Sequence, residues 1–144
     1  MTMTEPAVDM SDLSPPIGPA EGRRMLAVHH VGRLIWWREP DLQIVLSVYL
    51  LRNGHLHLGP LDRDQVADLT TGDMVFFEVD DWDTMGTWSW SVIVAARVGE
   101  LTDEPLLSDG PAIGPTDDPS WLRLDIAEIS GRRRQDPRPV PSLD

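Results

Sequence analysis

Apolar residues alternate along two neighbouring stretches in the middle of the chain, and this pattern predicts a pair of β-strands. Residues 74–79 form a short apolar run rich in Val and Phe, and every second residue from 88 to 98 is apolar. A period of two is typical of strands. Phe76 and Ile93 show that the second face is apolar as well. We therefore expect both faces to be covered, either by a closing barrel with a helix or by a second subunit.

Similar patterns predict four further strands and one or two short helices. The strands cover residues 31–37, 42–51, 55–58 and 121–129, and helical spacing occurs at residues 21–30 and 64–69. The pair Asn53-Gly54 predicts a tight hairpin because both residues accept positive φ. Asp62 or Asp64 is a candidate N-cap for the second helix. The sum indicates a mainly β protein, a small antiparallel β-barrel with short peripheral helices.

The segments outside these elements set the expected domain bounds. Residues 1–20 contain four prolines and few large apolar side chains, which predicts a disordered N-terminal arm. Residues 59–63 and 99–119 are predicted loops because Gly, Pro and acidic residues dominate them. Residues 21–134 are expected to form one domain, since 144 residues hold material for a single core. Residues 135–144 form a Pro-rich C-terminal tail.

Composition excludes several classes of function. The chain is acidic, with 24 acidic and 12 basic residues and a net charge of −12. Nucleic acid is therefore an unsuitable partner, because binding it requires clustered Lys and Arg. No apolar run approaches the roughly 20 residues that span a bilayer, and no signal segment opens the chain. We expect a soluble, cytoplasmic protein with no membrane partner.

The sequence offers little of the usual chemistry of catalytic or metal sites. There is no cysteine, which excludes disulfides and thiolate chemistry. His55 and His57 share one face of a predicted strand, but a metal site needs three or four converging ligands, so we expect none. No Ser/His/Asp set stands out, and the catalytic residues are unknown. The basic run of residues 132–134 is either a local anion contact or the solvated end of a strand.

The order of the elements resembles one known family. VGRL at residues 31–34, GDMVFFEVDD at 72–81, WSVIVAARV at 90–98 and ISGRR at 129–133 are similar to the pyridoxamine 5'-phosphate oxidase-like family of flavin-binding split barrels. The second and third of these segments are the most specific, and the resemblance spans residues 21–134. It implies a six-stranded antiparallel split barrel. It also implies a homodimer with two flavin sites in the grooves between the subunits.

The resemblance further implies which residues would bind a small planar ligand, FMN or a deazaflavin. The ring would lie against the second strand and the end of the third, and the following loop and the partner's central strand would complete the site. The candidates carried onto this chain are Val45, Leu46, Ser47, Leu58, Gly59, Pro60, Arg63 and Gln65, together with Ser89, Trp90 and Ser91 from the partner copy. The tryptophans either stack on such a ring or pack in the core and the dimer interface.

The chain departs from the family pattern where the flavin phosphate binds. Relatives carry an Arg-Thr pair and a Lys there, whereas this chain has Gly59-Pro60 and then Arg63 between two aspartates. A phosphate dianion prefers charge-assisted donors, and only Arg63 supplies one locally. Two main functions follow: an FMN- or deazaflavin-dependent oxidoreductase, or a cofactor-less dimeric split barrel that serves as a binding or interaction protein. Trp and His content suggests a third, a carrier of haem-like planar molecules.

Overall fold

Seven β-strands and two short helices make up the described part of the chain. The computed structural model describes residues 16–105 and 116–135. In chain order the elements are β1 (Pro16–Ile17), α1 (Pro19–Val28), β2 (Val31–Arg38), β3 (Asp41–Arg52), β4 (His55–Asp62), α2 (Arg63–Val66), β5 (Met74–Trp82), β6 (Trp88–Thr102) and β7 (Pro119–Gln135). Neither helix has the length and apolar character that crossing a membrane requires, as far as the described residues go.

Six of the strands close into an antiparallel barrel. Their order is β7-β4-β3-β2-β5-β6, and β6 pairs again with β7. The short β1 adds to the outside of this ring, where Ile17 pairs with Gly131 of β7. The predicted six-stranded antiparallel split barrel with short peripheral helices is therefore confirmed. The hairpin between β3 and β4 is also as predicted, since Asn53 and Gly54 have φ values of 54° and 78°.

The interior of the barrel is the hydrophobic core. The inward parity of the strands supplies side chains that are fully buried, among them Leu34, Phe77 and Val94. Helix α1 packs on the barrel through Leu26, whose backbone carbonyl accepts a 2.6 Å hydrogen bond from the hydroxyl of Tyr49 on β3. Burial raises the pKa of Tyr49 above its ordinary value, so this hydroxyl remains a donor at every physiological pH.

The outer side of β2, β3, β5 and β6 is apolar and exposed in the single chain. Its large apolar side chains are between 42% and 60% exposed; they are Val31, Trp37, Leu42, Ile44, Leu46, Met74, Phe76 and Ile93. We call this surface the outer apolar face. The expectation that both faces of the central strands are covered thus holds inside the barrel. On the outside, no element of the described chain covers them.

Several element boundaries differ from the prediction. Strand β4 continues through residues 59–62 of the predicted loop, β6 continues to Thr102, and β7 continues to Gln135. Residues 16–20, assigned to the disordered arm, form β1 and the start of α1. Neighbouring strands supply backbone partners to these polar or Gly-containing segments, which overrides their weak strand propensity. Residues 1–15, 106–115 and 136–144, with the rest of the predicted arm, loop and tail, lie outside the described residues.

Candidate functional site

A cleft lies where β5 and β7 end and β6 begins. It has a volume of about 360 Å³ and is lined by three consecutive residues from each strand, at 80–82, 89–91 and 132–134. We call it the arginine cleft, after the three arginines of β7. A second cleft of about 240 Å³ adjoins it, shares Ser89, Trp90, Arg133 and Arg134, and reaches Met25 on α1.

Strand register explains which side chains meet in the arginine cleft. Ser91 pairs with Asp80 on one side and with Arg132 on the other. Two residues further along, Ser89 pairs with Trp82 and with Arg134. The side chains of both rows point to the same side of the sheet as the outer apolar face, because side chains two residues apart on a strand point the same way. Each hydroxyl therefore stands between a residue of β5 and an arginine of β7.

The intervening row points toward α1 and is already engaged. Arg133 pairs with the carboxylate of Glu21 on α1. The ring of Trp90 packs edge-on against His29, with centroids 4.7 Å apart, and His29 lies 3.9 Å from the carboxylate of Asp81. These contacts hold the helix against the strand ends. They leave Arg132 and Arg134, both exposed, as the cations that face the cleft.

An ion cluster borders the arginine cleft on the outer apolar face. The guanidinium of Arg33 on β2 lies 2.9 Å from Glu78 and 2.6 Å from Asp80. Loss of solvent contact, and secondarily the adjacent Asp80, raise the pKa of Glu78 to about 7. Arg33 therefore sits between two carboxyl groups, one of which exchanges its proton near neutral pH. Because Arg33 holds Asp80, the nearest acidic group on this side of the cleft is neutralised.

The residues predicted on β3 and at the start of β4 mostly face the core. Ser47 is 1% exposed and donates its hydroxyl to the carbonyl of Val48 at 2.8 Å. Leu58 is fully buried and Val45 is half-buried. Leu46 alone of this group lies on the outer apolar face. A ligand outside the barrel would thus meet the Leu46 side chain but not those of Ser47 or Leu58.

Gly59 has a structural role that the sequence does not reveal. Its φ is +139°, a value that L-residues with a side chain rarely adopt. A Cβ at this position would also lie 2.9 Å from Cγ of Trp121 and 3.0 Å from the carbonyl of Ser120. The ring of Trp121 therefore packs directly against Gly59 and leaves no room for a side chain there. Pro60, next to it, is half-buried.

Arg63, the one cation predicted to bind phosphate, is engaged in ion pairs. Its Nε lies 2.8 Å from Oδ1 of Asp118, and its Nη2 lies 3.8 Å from Asp103. Asp62 caps α2 by accepting from the backbone N–H of Asp64 at 3.1 Å, so one of the two proposed N-caps is correct. Gln65 is exposed. The loop thus carries no uncompensated positive charge.

Ser89, Trp90 and Ser91 are the predicted site residues that do line the arginine cleft. According to the resemblance, these three residues would reach the site from the partner copy. In the single chain they lie beside each other but not beside the predicted site residues of β3 and β4.

The sequence prediction gave residues 132–134 as either a local anion contact or the solvated end of a strand and did not connect them with the serines. Parity alone could not have found them, because a β-bulge between Ile126 and Glu128 reverses the alternation of β7. Arg132 and Arg134 therefore lie on the face opposite to the one that the alternation of Leu122 and Leu124 predicts.

The paired histidines of β4 form no metal centre of the usual kind. His55 lies 3.0 Å from Asp125 on β7, and burial lowers the pKa of His57. Among residues 16–105 and 116–135, no three His, Cys, Asp or Glu side chains converge closely enough to hold a metal ion.

Known proteins resemble this chain in fold but not closely in sequence. No family model matches the sequence, and the curated proteins give no match. Solved structures do. A candidate pyridoxamine 5'-phosphate oxidase from Corynebacterium glutamicum matches with a TM-score of 0.70 at 19% identity, over 88% of this chain and 96% of that one. The chain has the pyridoxamine 5'-phosphate oxidase-like split-barrel fold.

Two further split barrels extend the comparison. An FAD-binding protein from Mycobacterium smegmatis matches with a TM-score of 0.64 at 20% identity, and one from Mesorhizobium loti with 0.60 at 18%. Each match covers 85% of this chain and 99% of the other. The predicted resemblance is thereby confirmed at the level of the fold. In this split barrel the arginine cleft lies at one end of the outer apolar face.

Proposed function

We propose that this split barrel is a homodimer that binds a flavin-type cofactor between its subunits and acts with that cofactor as an oxidoreductase. The observation that carries the proposal is the arginine cleft, which combines tryptophan, hydroxyl and guanidinium groups at the edge of an exposed apolar face. The fold shared with two FAD-binding proteins supports the cofactor class. FMN or a deazaflavin remains the expected form, and the cytoplasm the expected location.

A second copy of the chain is the proposed occupant of the outer apolar face. Contiguous apolar surfaces of this kind mark interaction sites, and this one carries eight large apolar side chains. Its centre holds both signs of charge, with Arg33 beside Glu78 and Asp80. A face that carries both signs can complement itself across a two-fold axis. The cleft at its end would then lie beside the partner subunit.

The side chains of the cleft fit the chemistry of a flavin. Trp82 is 61% exposed, and its indole offers a flat polarisable surface on which an aromatic ring stacks. The hydroxyls of Ser89 and Ser91 can donate hydrogen bonds to a polar group of the ligand, and the arginines suit an anion. When bound, the flavin supplies the hydride-transfer chemistry. The protein's part is to orient the ring and to exclude water.

A second candidate function is favoured by the state of the family's phosphate-binding loop. Arg63 is paired with Asp118, and Trp121 packs over Gly59. With no free cation in that loop, the chain would be a dimeric binding or interaction protein without a cofactor. This alternative expects a colourless dimer with no affinity for flavins.

An absorbance spectrum of the purified full-length protein, before and after addition of cofactor, tests the proposal. We expect flavin absorbance, or saturable binding when FMN, FAD and a deazaflavin are titrated separately. Trp82→Ala should weaken binding about three- to tenfold through loss of ring stacking. Met85→Ala is the matched control, since Met85 is 60% exposed in the same hairpin and does not line the cleft. A dimer that binds none of the three cofactors would establish the alternative.

A further inference from the structure

Arg132 and Arg134 differ in their partners from Arg133, the third arginine of the cleft, and from four other arginines of the described chain. Arg38, Arg63 and Arg123 form ion pairs with carboxylates of neighbouring elements, as do Arg33 and Arg133. Within the described ranges, no ion pair involves Arg132 or Arg134. In a chain with a net charge of −12, two adjacent uncompensated guanidiniums create a local positive site. Such a site attracts an anion.

Strand geometry directs these two guanidiniums to the same place. Arg132 and Arg134 are two residues apart on β7, so their Cα atoms are separated by about 7 Å and their side chains leave the same face. Each pairs across to a serine of β6, Arg132 to Ser91 and Arg134 to Ser89. The four side chains place hydroxyl donors beside forked guanidinium donors. This is the donor set that binds phosphate oxygens well.

The surroundings favour an anion more than the net charge of the protein suggests. Asp80, which shares a row with Ser91 and Arg132, is held by Arg33 at 2.6 Å. Asp81 has the opposite parity and approaches His29. Of the two carboxylates that line the cleft, Asp80 is therefore paired with Arg33, and Asp81 belongs to the row that points toward α1.

We propose that Arg132 and Arg134, with the hydroxyls of Ser89 and Ser91, bind the phosphate ester of a planar phosphorylated ligand. The inference rests on the proposed flavin function and relocates the anion away from the loop at Arg63. Trp82 and Arg134 flank Ser89 in one row, about 10 Å apart across two inter-strand spacings. A ring stacked on Trp82 and a phosphate at Arg134 are then joined by a chain of the length of a ribityl group.

The test compares FMN with riboflavin, which has the same ring and no phosphate. We expect the wild type to bind FMN more tightly. The double variant Arg132→Gln/Arg134→Gln should lose about tenfold or more of its FMN affinity and bind riboflavin as the wild type does. Arg132→Lys/Arg134→Lys should retain part of the preference, because charge remains while the forked geometry is lost. The preference should weaken as salt is added.

Arg63→Gln is the matched control, since it removes one guanidinium from the loop that the family pattern assigns to phosphate. It should leave the ratio of FMN to riboflavin affinity unchanged. A ratio that falls in Arg63→Gln and not in the double variant would overturn the inference and return the phosphate to that loop. Equal affinity of the wild type for FMN and riboflavin would also overturn it. Failure to bind FMN and riboflavin while FAD or a deazaflavin binds would overturn this subsite alone, and failure to bind any of the four would reject the proposed function together with it.

Discussion

The carboxyl group of Glu78 is the clearest example of a property decided by a single residue's surroundings. It lies beside Asp80 and 2.9 Å from the guanidinium of Arg33, and its side chain is only 16% exposed. The loss of solvent contact favours the neutral acid, and the adjacent Asp80 strengthens this effect. Arg33 opposes both without cancelling them. A proton is therefore retained on the outer apolar face close to neutral pH.

This shift predicts a pH dependence of stability. The pKa of Glu78 is about 7 in the folded chain and ordinary, near 4.5, in the unfolded one. The folded state thus binds more protons in that interval, and the free energy of unfolding falls as pH rises through it. Glu78→Gln lacks this contribution. Urea unfolding at about pH 5 and about pH 8 should show a larger loss of stability in the wild type than in the variant. Equal losses would contradict the shifted pKa.

At the scale of elements, α1 is held on the barrel at a few specific contacts. Tyr49 reaches from β3 to the last turn of the helix, while its ring packs edge-on against Phe77 at 5.1 Å. Arg133 at the end of β7 pairs with Glu21 of the same helix. His29, the residue after the helix, packs against Trp90 at the start of β6. The position of α1 therefore depends on the strands that form the arginine cleft. Loosening the helix should alter the cleft as well.

Tyr49→Phe tests this attachment. The substitution keeps the ring but leaves the carbonyl of Leu26 with only the long 3.4 Å bond from the backbone N–H of His29, which should cost about 1 kcal/mol of unfolding free energy. Urea denaturation gives the value. Thr102→Val is the control, because it removes one hydroxyl that accepts an exposed bond from the backbone of Glu104, and its effect should stay within about 0.5 kcal/mol. Similar costs for the two variants would mean that the buried bond contributes nothing special.

At the scale of the whole molecule, the closed barrel leaves a large apolar surface that no other segment of residues 16–105 and 116–135 covers. The side chains that point into the barrel already form the core. The core therefore does not explain why the outward-pointing side chains of β2, β3, β5 and β6 are apolar. The proposed second copy would cover this surface, and the arginine cleft would then become part of a larger site. The proposed function thus depends on association.

Sedimentation equilibrium tests the association directly. We expect a dimer for the wild type and a monomer for Phe76→Glu, because a charge in the outer apolar face would be buried without a partner. Val28→Glu is the control; Val28 is 69% exposed at the end of α1, outside this face, and the variant should remain dimeric. A monomeric wild type, or a dimeric Phe76→Glu protein, would refute the proposed interface.

The sequence by itself determined the strands, the Asn53-Gly54 hairpin and the barrel, because alternation and turn chemistry are local properties of neighbouring residues. It predicted Ser89, Trp90 and Ser91 as site residues but not their companions. Only the tertiary structure extended β7 to Gln135 and placed Arg132 and Arg134 beside those serines. Register between strands about 40 residues apart in sequence depends on packing of the whole sheet. For the same reason, only the fold showed that Arg63 is neutralised by Asp118.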